Sequence, residues 1–554
     1  MRYFYFVLLC FITSFSSVFS QEYSWFYLRA NDTLIEPKFE RVDDVLVYIG
    51  DDLKLKSVLD QYTIYEFKKT FRNANKKNLK KTFFVVSNKE EIVKDLLTKT
   101  AHLFEFGEII DEDDKKIFEP NDYGNTSTIG ENIAWKTNLD YLDVMGLPKA
   151  WYYTTGSKDI TIGISDGGID STNTEFKNKT KLFNYSRLAK GHGYSIAATA
   201  AGQGDNGFGF TGVCYDCSIY GSSYGKTKTL SNLMEMSKAG ADVINCSWGT
   251  TKYYQTAQDA IYEMIDNGTI IVASAHNKKW IKTENKGELR YYPASYDKVI
   301  SVATVMHRYE TVLDYIDIEE DNGNYFALNI RGYLGRTLGF KENDTLGEPF
   351  IHPISIRTLN SDVDILGPGV GLVRYGQYKI NNKIKFSEYG ATSGIAPLIS
   401  GTVGLMLSLQ PCLNFDEVDA IIKLSAVNID HIKANKPWEG YYGAGMINAG
   451  NAVEMVYKLM TETDTAIIQN QSFSRWDFKL TALSKKVVIQ NQKFTNDATL
   501  NLTAKNRIVI GENTVLKPNT NGSIILKIDP TLEKECELQL REGFPNNKYY
   551  FPKE

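Results

Sequence analysis

This chain is short of histidine, of cysteine and of net charge. Only six histidines occur among 554 residues (His102, His192, His276, His307, His352 and His431), so few side chains can move protons near neutral pH. A formal net charge of −5, with 62 basic and 67 acidic residues interspersed, provides no long-range field to gather nucleic acid or an anionic membrane. No apolar run beyond the N-terminus is long enough to cross a bilayer. The CxxC pattern occurs once, at Cys214 and Cys217. With no second pair to complete a zinc cluster, packing or a local disulfide is expected there and metal is not.

The N-terminus has the layout of a cleavable secretory signal. Met1-Arg2 precede an apolar run from Tyr3 to Ile12, and a Ser-rich segment ends at Val18-Phe19-Ser20, which places the mature start near Gln21. A secreted or cell-envelope location, extracellular or periplasmic, follows. Cys10 is not read as a lipid attachment point, because Leu9 stands where a small residue is wanted. Removing the signal leaves Cys214, Cys217, Cys246, Cys412 and Cys536, an odd set, so at least one thiol is expected to stay free or buried.

With 43% hydrophobic residues the chain can bury more than one core. Residues 21–122 read as a small α+β unit, with "DDVLVYIG", "KKTFFVVS" and "HLFEFGEII" as strands and "KEEIVKDLLTKT" as a helix. It ends in the acidic run Asp111 to Asp114, read as solvated linker. From Trp151 to Val305, short β-branched runs alternate with amphipathic stretches, the pattern of a doubly wound, mainly parallel sheet. The strands are "KDITIGISD", "CSIYGSSY", "ADVINCSWG", "GTIIVASAHN" and "KVISVATV". Between them "KTLSNLMEMSKAG" and "TAQDAIYEMIDNG" are helices closed by glycine. Residues from Met306 to Asn360 read as an insertion, and "NFDEVDAIIKLSA" and the end of "GYYGAGMINAGNAVEMVYKLM" as further helices. From Asp464 the texture changes to short alternating strands with no strict repeat, expected to form a C-terminal all-β domain over 464–554.

In open α/β sheets, ligands sit beyond the carboxyl ends of the strands. Asp166, Asn277 and the run Ser247-Trp248-Gly249 all fall at such ends. His192, in "KGHGYSIAATAAG", stands where a helix of small residues begins, with His276 as its only rival for proton transfer. Ser393 opens another apolar stretch, "GATSGIAPLISG", in which Pro397 interrupts an otherwise helical pattern. The chain order aspartate, histidine, serine is that of one of the convergent serine-nucleophile triads. "GQGDNG", from Gly202 to Gly207, fits GxGxxG literally, but it follows a helix instead of a strand and is read as a loop.

Taken together, "ISDGGIDSTNTEF", "GHGYSIAATAAG", "DVINCSWG", "IIVASAHN" and "GATSGIAPLISG" resemble, in order, the motifs of the subtilisin-like serine proteases, the subtilases. The resemblance runs from about Trp135 to Met460. It implies a catalytic domain over 123–460, and that the segment before it is an inhibitor-type propeptide. It further implies a serine endopeptidase made as a zymogen, with protein or peptide substrates and its own propeptide as partners. Carried over, Ser393 would be the nucleophile, His192 the general base and then acid, and Asp166 the residue that orients the imidazole. Asn277 would donate to the oxyanion, and Ser247, Trp248 and Gly249 would pair with substrate backbone. His276, in place of a glycine, would line the primary specificity pocket. No cofactor is required for acyl transfer; a structural calcium ion is compatible with the family, with Asp205 and Asn206 as candidate loop ligands, although ordinary turn chemistry is the commoner role of such a pair.

Departures from the family pattern are Gly167, Tyr194, Ser195, Ala198, His276 and Ala391. None removes a reacting group. They motivate the alternative of a catalytically weak or inactive surface protein that uses the scaffold for binding.

Overall fold

The computed structural model describes residues 23–71, 77–127, 133–183, 191–278, 288–310, 318–321, 324–327, 329–342, 345–346, 350–352, 355–380 and 383–545. The signal segment read over 1–20 lies outside them. The chain divides into two compact units, one ending at Lys115 and the other beginning at Lys116.

In the first unit an antiparallel sheet is ordered Ile64–Lys69, Thr82–Ser87, Ser24–Ala30, Phe104–Ile109. Helices Leu53–Leu59 and Glu91–Lys99 bury Leu55, Val58, Ile92 and Leu96 against its Phe26, Leu28, Phe83 and Val85. This is the expected α+β unit. Asn121 and Asp122 belong to the second unit. There the Asp122 carboxylate accepts the backbone N–H of Asp205 (3.1 Å) and of Asn206 (3.5 Å).

The second unit is built on seven parallel strands: β1 (Thr161–Ser165), β2 (Thr180–Leu182), β3 (Ser218–Ser222), β4 (Val243–Cys246), β5 (Ile270–Ser274), β6 (Val299–Val305) and β7 (Ile365–Pro368). Their order in the sheet is 7-6-5-4-1-3-2. Strands buried on both faces carry apolar residues at nearly every position, as in "VISVATV". On one face, Ile162, Ile164, Val243, Val272 and Val302 meet helices α1 (His192–Ala201) and α4 (Thr392–Leu409). On the other, Ile244, Cys246, Ile271 and Ala273 meet α2 (Ser231–Lys238) and α3 (Gln255–Asp266). The sheet is therefore doubly wound. Both α2 and α3 stop at glycines with positive φ, Gly240 at 95° and Gly268 at 85°, which supply the left-handed turn a helix end requires.

α4 is the central helix. By length and composition it is, among the described residues, the one helix long and apolar enough to cross a membrane, a correction to the sequence reading, which finds no such run beyond the N-terminus; all its residues are buried in the core of the protein. After it come α5 (Phe415–Leu424), opened by a reciprocal Asn414–Glu417 capping box, and α6 (Ala449–Met460).

The C-terminal strands are present, with a pairing that alternation alone does not reveal. They stack in parallel as three turns of a solenoid, in sheets Thr465–Gln469/Lys486–Gln490/Ile508–Ile510, Ser472–Phe473/Lys493–Asn496/Val515–Pro518 and Asp477–Ala482/Thr499–Ala504/Ser523–Ile528. Each turn takes roughly 22 residues, within the usual range for solenoid repeats. Inward positions form ladders: Phe473 over Phe494 over Leu516, and Leu480 over Leu502 over Leu526. The inward residues of this segment pack into the same core as α4, α5 and α6.

Disulfides join Cys214 to Cys217 and Cys412 to Cys536, with Cα–Cα distances of 5.4 and 5.8 Å; Cys246 is free and buried. The second closes a loop across a sequence separation of 124. In the chain-entropy account a loop of that length contributes about 5 kcal/mol by restricting the unfolded chain. Cys412→Ser/Cys536→Ser is therefore expected to lower unfolding stability by about 2–5 kcal/mol, read from the denaturant midpoint of purified protein. An unchanged midpoint would show that the bridge does not tie the tail to the core.

Candidate active site

The ends of β1, β4 and β5 lie side by side, because Ser165 is in register with Cys246 and Cys246 with Ala273. β1 is also where the strand order reverses, with β4 on one side and β3 on the other. Chain leaving these three ends reaches one place: Asp166 from β1, Ser247 to Gly249 from β4, and His276-Asn277 from β5.

Asp166, 7% exposed, accepts the N–H of Gly167 at 2.6 Å and binds Nδ1 of His192 at 2.8 and 3.0 Å. His192 is the first residue of α1, and Gly191 before it has φ 121°. A side chain at Gly193 would collide with the Gly167 backbone, so glycine at 193 lets α1 come close enough for that bond to form. The hydrogen bond to Asp166 raises the His192 pKa against the opposing effect of burial. With Nδ1 held, Nε2 is the nitrogen left to exchange protons with a partner. His276 has no such carboxylate, and burial lowers its pKa.

Ser393 is the second residue of α4 and is 9% exposed. It is tied to Ser247 in both directions. The Ser247 hydroxyl donates to the Ser393 carbonyl at 2.9 Å, and the Ser393 hydroxyl donates to the Ser247 carbonyl at 3.4 Å. The first bond accounts for Pro397. In an α-helix the N–H at 397 would bond the carbonyl at 393; proline has none, and the Ser247 hydroxyl takes its place. Pro397 thus lies beyond the first turn, and its missing donor is replaced from β4. Ser247 is itself held by Asn245, whose side-chain N–H donates to the Ser247 hydroxyl at 3.0 Å and whose oxygen accepts from Ser400 at 3.3 Å.

Asn277 meets the same helix start. Its Oδ1 accepts the backbone N–H of Thr392 at 2.7 Å and the Thr392 hydroxyl at 3.0 Å. A backbone N–H can only donate, so the amide orientation is fixed and Nδ2 is left facing away from Thr392 as a donor. Ser274 donates to the Thr392 hydroxyl at 2.8 Å, which ties the end of β5 to α4. Trp248 donates through Nε1 to Ser165 at 3.0 Å, and Thr250 exchanges backbone hydrogen bonds of 2.8 Å with Tyr292.

The eight residues singled out in the sequence thus gather at one edge of the sheet. Asp166 joins His192, and Ser393 joins Ser247, while the Ser393 hydroxyl is bonded to Ser247 and not to His192. Asn245, Ser274 and Thr392 were not anticipated. Thr392 had a signal, since it directly precedes the serine at a helix start; Asn245 and Ser274 sit in apolar strands, where only pairing reveals a role.

Residues 157–445, about half the chain, match the peptidase S8 "Subtilase family". The chain belongs to the subtilase family. Among relatives, it is 26% identical over 417 residues to a calcium-dependent protease of Trichormus variabilis, spanning 68% of this chain and 57% of that protein. It is 24% identical to subtilisin DY of Bacillus licheniformis over 308 residues, 53% of this chain and 91% of the relative. Among solved structures, fervidolysin from Fervidobacterium pennivorans, a keratinolytic enzyme related to subtilisin, is 16% identical with a TM-score of 0.43, over 78% of this chain and 61% of that one. The subtilase match covers all seven sheet strands and α4, and the relatives named here are proteases.

Asp205 and Asn206 do the work of a turn: Asp205 accepts the N–H of Asn121 at 3.0 Å, and Asn206 that of Phe208 at 2.8 Å. Nearby, Asp122 and Glu175 are buried carboxyls whose pKa values rise to about 7 and about 8 by desolvation. Among the described residues, no three His, Cys, Asp or Glu side chains converge as metal ligands. Among the described residues, the candidate ligands Asp205 and Asn206 hold a turn and do not form such a cluster.

Two outcomes are expected. In a Ser393→Ala background, Ser247→Ala leaves the carbonyl at position 393 unpaired and should cost about 1–3 kcal/mol by denaturant unfolding. Adding Pro397→Ala restores an N–H at that carbonyl and should recover part of the loss; strict additivity would refute the substitution of one donor for the other. By NMR titration, His192 should titrate above the ordinary 6.5 and move down in Asp166→Asn; no difference between the two would remove Asp166 as its partner.

Proposed function

We propose that this subtilase is a secreted serine endopeptidase, made as a zymogen whose N-terminal unit is the propeptide. The observation that carries the reading is Asp166 bound to Nδ1 of His192, with Ser393 and the Asn277 donor assembled at the start of α4. The runs of residues that resemble the family motifs, and the two disulfides, which suit an oxidising compartment, support it.

The chemistry follows from the geometry. Rotation about the Ser393 side chain exchanges the Ser247 carbonyl for Nε2 of His192 as acceptor, which frees the oxygen to attack a peptide carbonyl. His192 takes the proton and passes it to the leaving amine, while Asp166 stabilises the imidazolium. Negative charge develops on the carbonyl oxygen beside the Asn277 side-chain N–H and the backbone N–H of Ser393, at the positive end of the helix dipole. A substrate strand pairs with Ser247 to Gly249, so main-chain bonds supply affinity. Water then hydrolyses the acyl-enzyme by the same proton relay in reverse, without a cofactor.

A fluorophosphonate probe tests both parts. Mature protein should be labelled and Ser393→Ala should not; an unlabelled wild type or a labelled variant would overturn the nucleophile assignment. Expressed at full length, Ser393→Ala should keep the N-terminal unit that wild type sheds, read by N-terminal sequencing. Identical N-termini would show that Ser393 does not process its own chain.

A further inference from the structure

Next to Asn277, just beyond the end of β5, His276 is one of two stacked rings. His276 and Tyr291 lie with ring centroids 4.0 Å apart and planes 4° from parallel. Tyr291 is buried, at 5% exposure, and its backbone is fixed by the neighbouring Tyr292–Thr250 pair. A Cβ added at Gly249 would come within 3.2 Å of the Tyr291 Cβ, so the tyrosine presses directly on the Ser247 to Gly249 segment. His276 approaches from the other side, adjacent in sequence to Asn277. Its Nδ1 is buried without a hydrogen-bond partner, so stacking holds the ring. Its backbone has φ 85°, a left-handed conformation in which glycine is relaxed and a side chain bearing Cβ is strained. Strain kept at such a position, together with an unpaired buried nitrogen, marks a ring retained for what it occupies.

A substrate residue that acylates Ser393 has its carbonyl carbon against the Ser393 oxygen and its carbonyl oxygen toward Asn277. When its backbone pairs with Ser247 to Gly249, its side chain is directed between that segment and His276-Asn277. This is the space the two rings fill. We infer that His276 and Tyr291 close the acyl-side pocket, so that the enzyme cleaves after small residues (glycine, alanine, serine) and rejects leucine and phenylalanine. The inference rests on the protease reading above and adds its substrate class. A misfit of several carbon atoms against a packed wall exceeds a single-methylene mismatch, which already discriminates by about 10–200-fold.

The test uses mature protein and quenched-fluorescent peptides identical except for Ala, Ser, Leu or Phe at the acyl position. Wild type should cleave after Ala and Ser with kcat/KM at least about a hundredfold above Leu and Phe. His276→Gly removes the strained side chain and is expected to fold. With Tyr291→Ala added, it should raise the ratio of kcat/KM for Leu and Phe to that for Ala at least tenfold. If the double variant unfolds, the single His276→Gly variant should already shift the Leu-to-Ala ratio upward. Efficient wild-type cleavage after Leu or Phe, or an unmoved ratio in a folded variant, would overturn the inference. Fluorophosphonate labelling separates the two levels: labelled protein with the wrong preference sinks this inference alone, whereas protein neither labelled nor cleaving sinks the protease reading and this inference together.

Discussion

The pair of hydrogen bonds between Ser247 and Ser393 is the constraint on which the site depends. Helix α4 is wholly buried, so every polar group at its start must find a partner inside the protein. Pro397 removes one internal donor and thereby creates a demand at the Ser393 carbonyl. The hydroxyl that meets the demand comes from the residue just beyond β4, and Asn245 and Ser400 hold it in turn. Helix and sheet are thus pinned at the serine itself. A second tie, from Ser274 through Thr392 to Asn277, pins the end of β5 to the same first turn.

These ties need close approach, and small residues provide it. Gly193 lets α1 reach the backbone of Gly167, and Gly401 and Gly404 of α4 face Val213, Ile162 and the Cys214–Cys217 disulfide with no room for larger side chains. Hydrophobic burial drives the two layers together, while the polar contacts at the strand ends set their registration. The outcome is a polar cluster whose parts come from five separate elements: the ends of β1, β4 and β5 and the starts of α1 and α4.

Much of this was legible in the chain. The strands "TIGIS", "VINC" and "IIVAS" announce themselves as short buried runs, and Gly240 and Gly268 announce the ends of their helices. Asp166, His192, Asn277 and Ser393 were legible because each sits at an element boundary, where chain direction and side-chain chemistry can both be read. The solenoid was not legible as such. Its repeat lives only on inward positions such as Phe473, Phe494 and Leu516, while outward positions vary freely, so the strands look like any alternating β segment. Its merger with the core of α4 to α6 was hidden for the same reason, since an apolar residue does not state which surface it will meet.

By itself, then, the sequence determined the order of elements, the doubly wound sheet and the identities of the residues at the strand ends, because local periodicity and turn chemistry encode them directly. Only the tertiary structure decided which of those residues touch: Asp166 with His192, Ser247 in place of the missing Pro397 donor, His276 stacked on Tyr291. Those contacts join positions far apart in the chain. They are selected by packing of a buried helix against a twisted sheet, which no local window of residues contains.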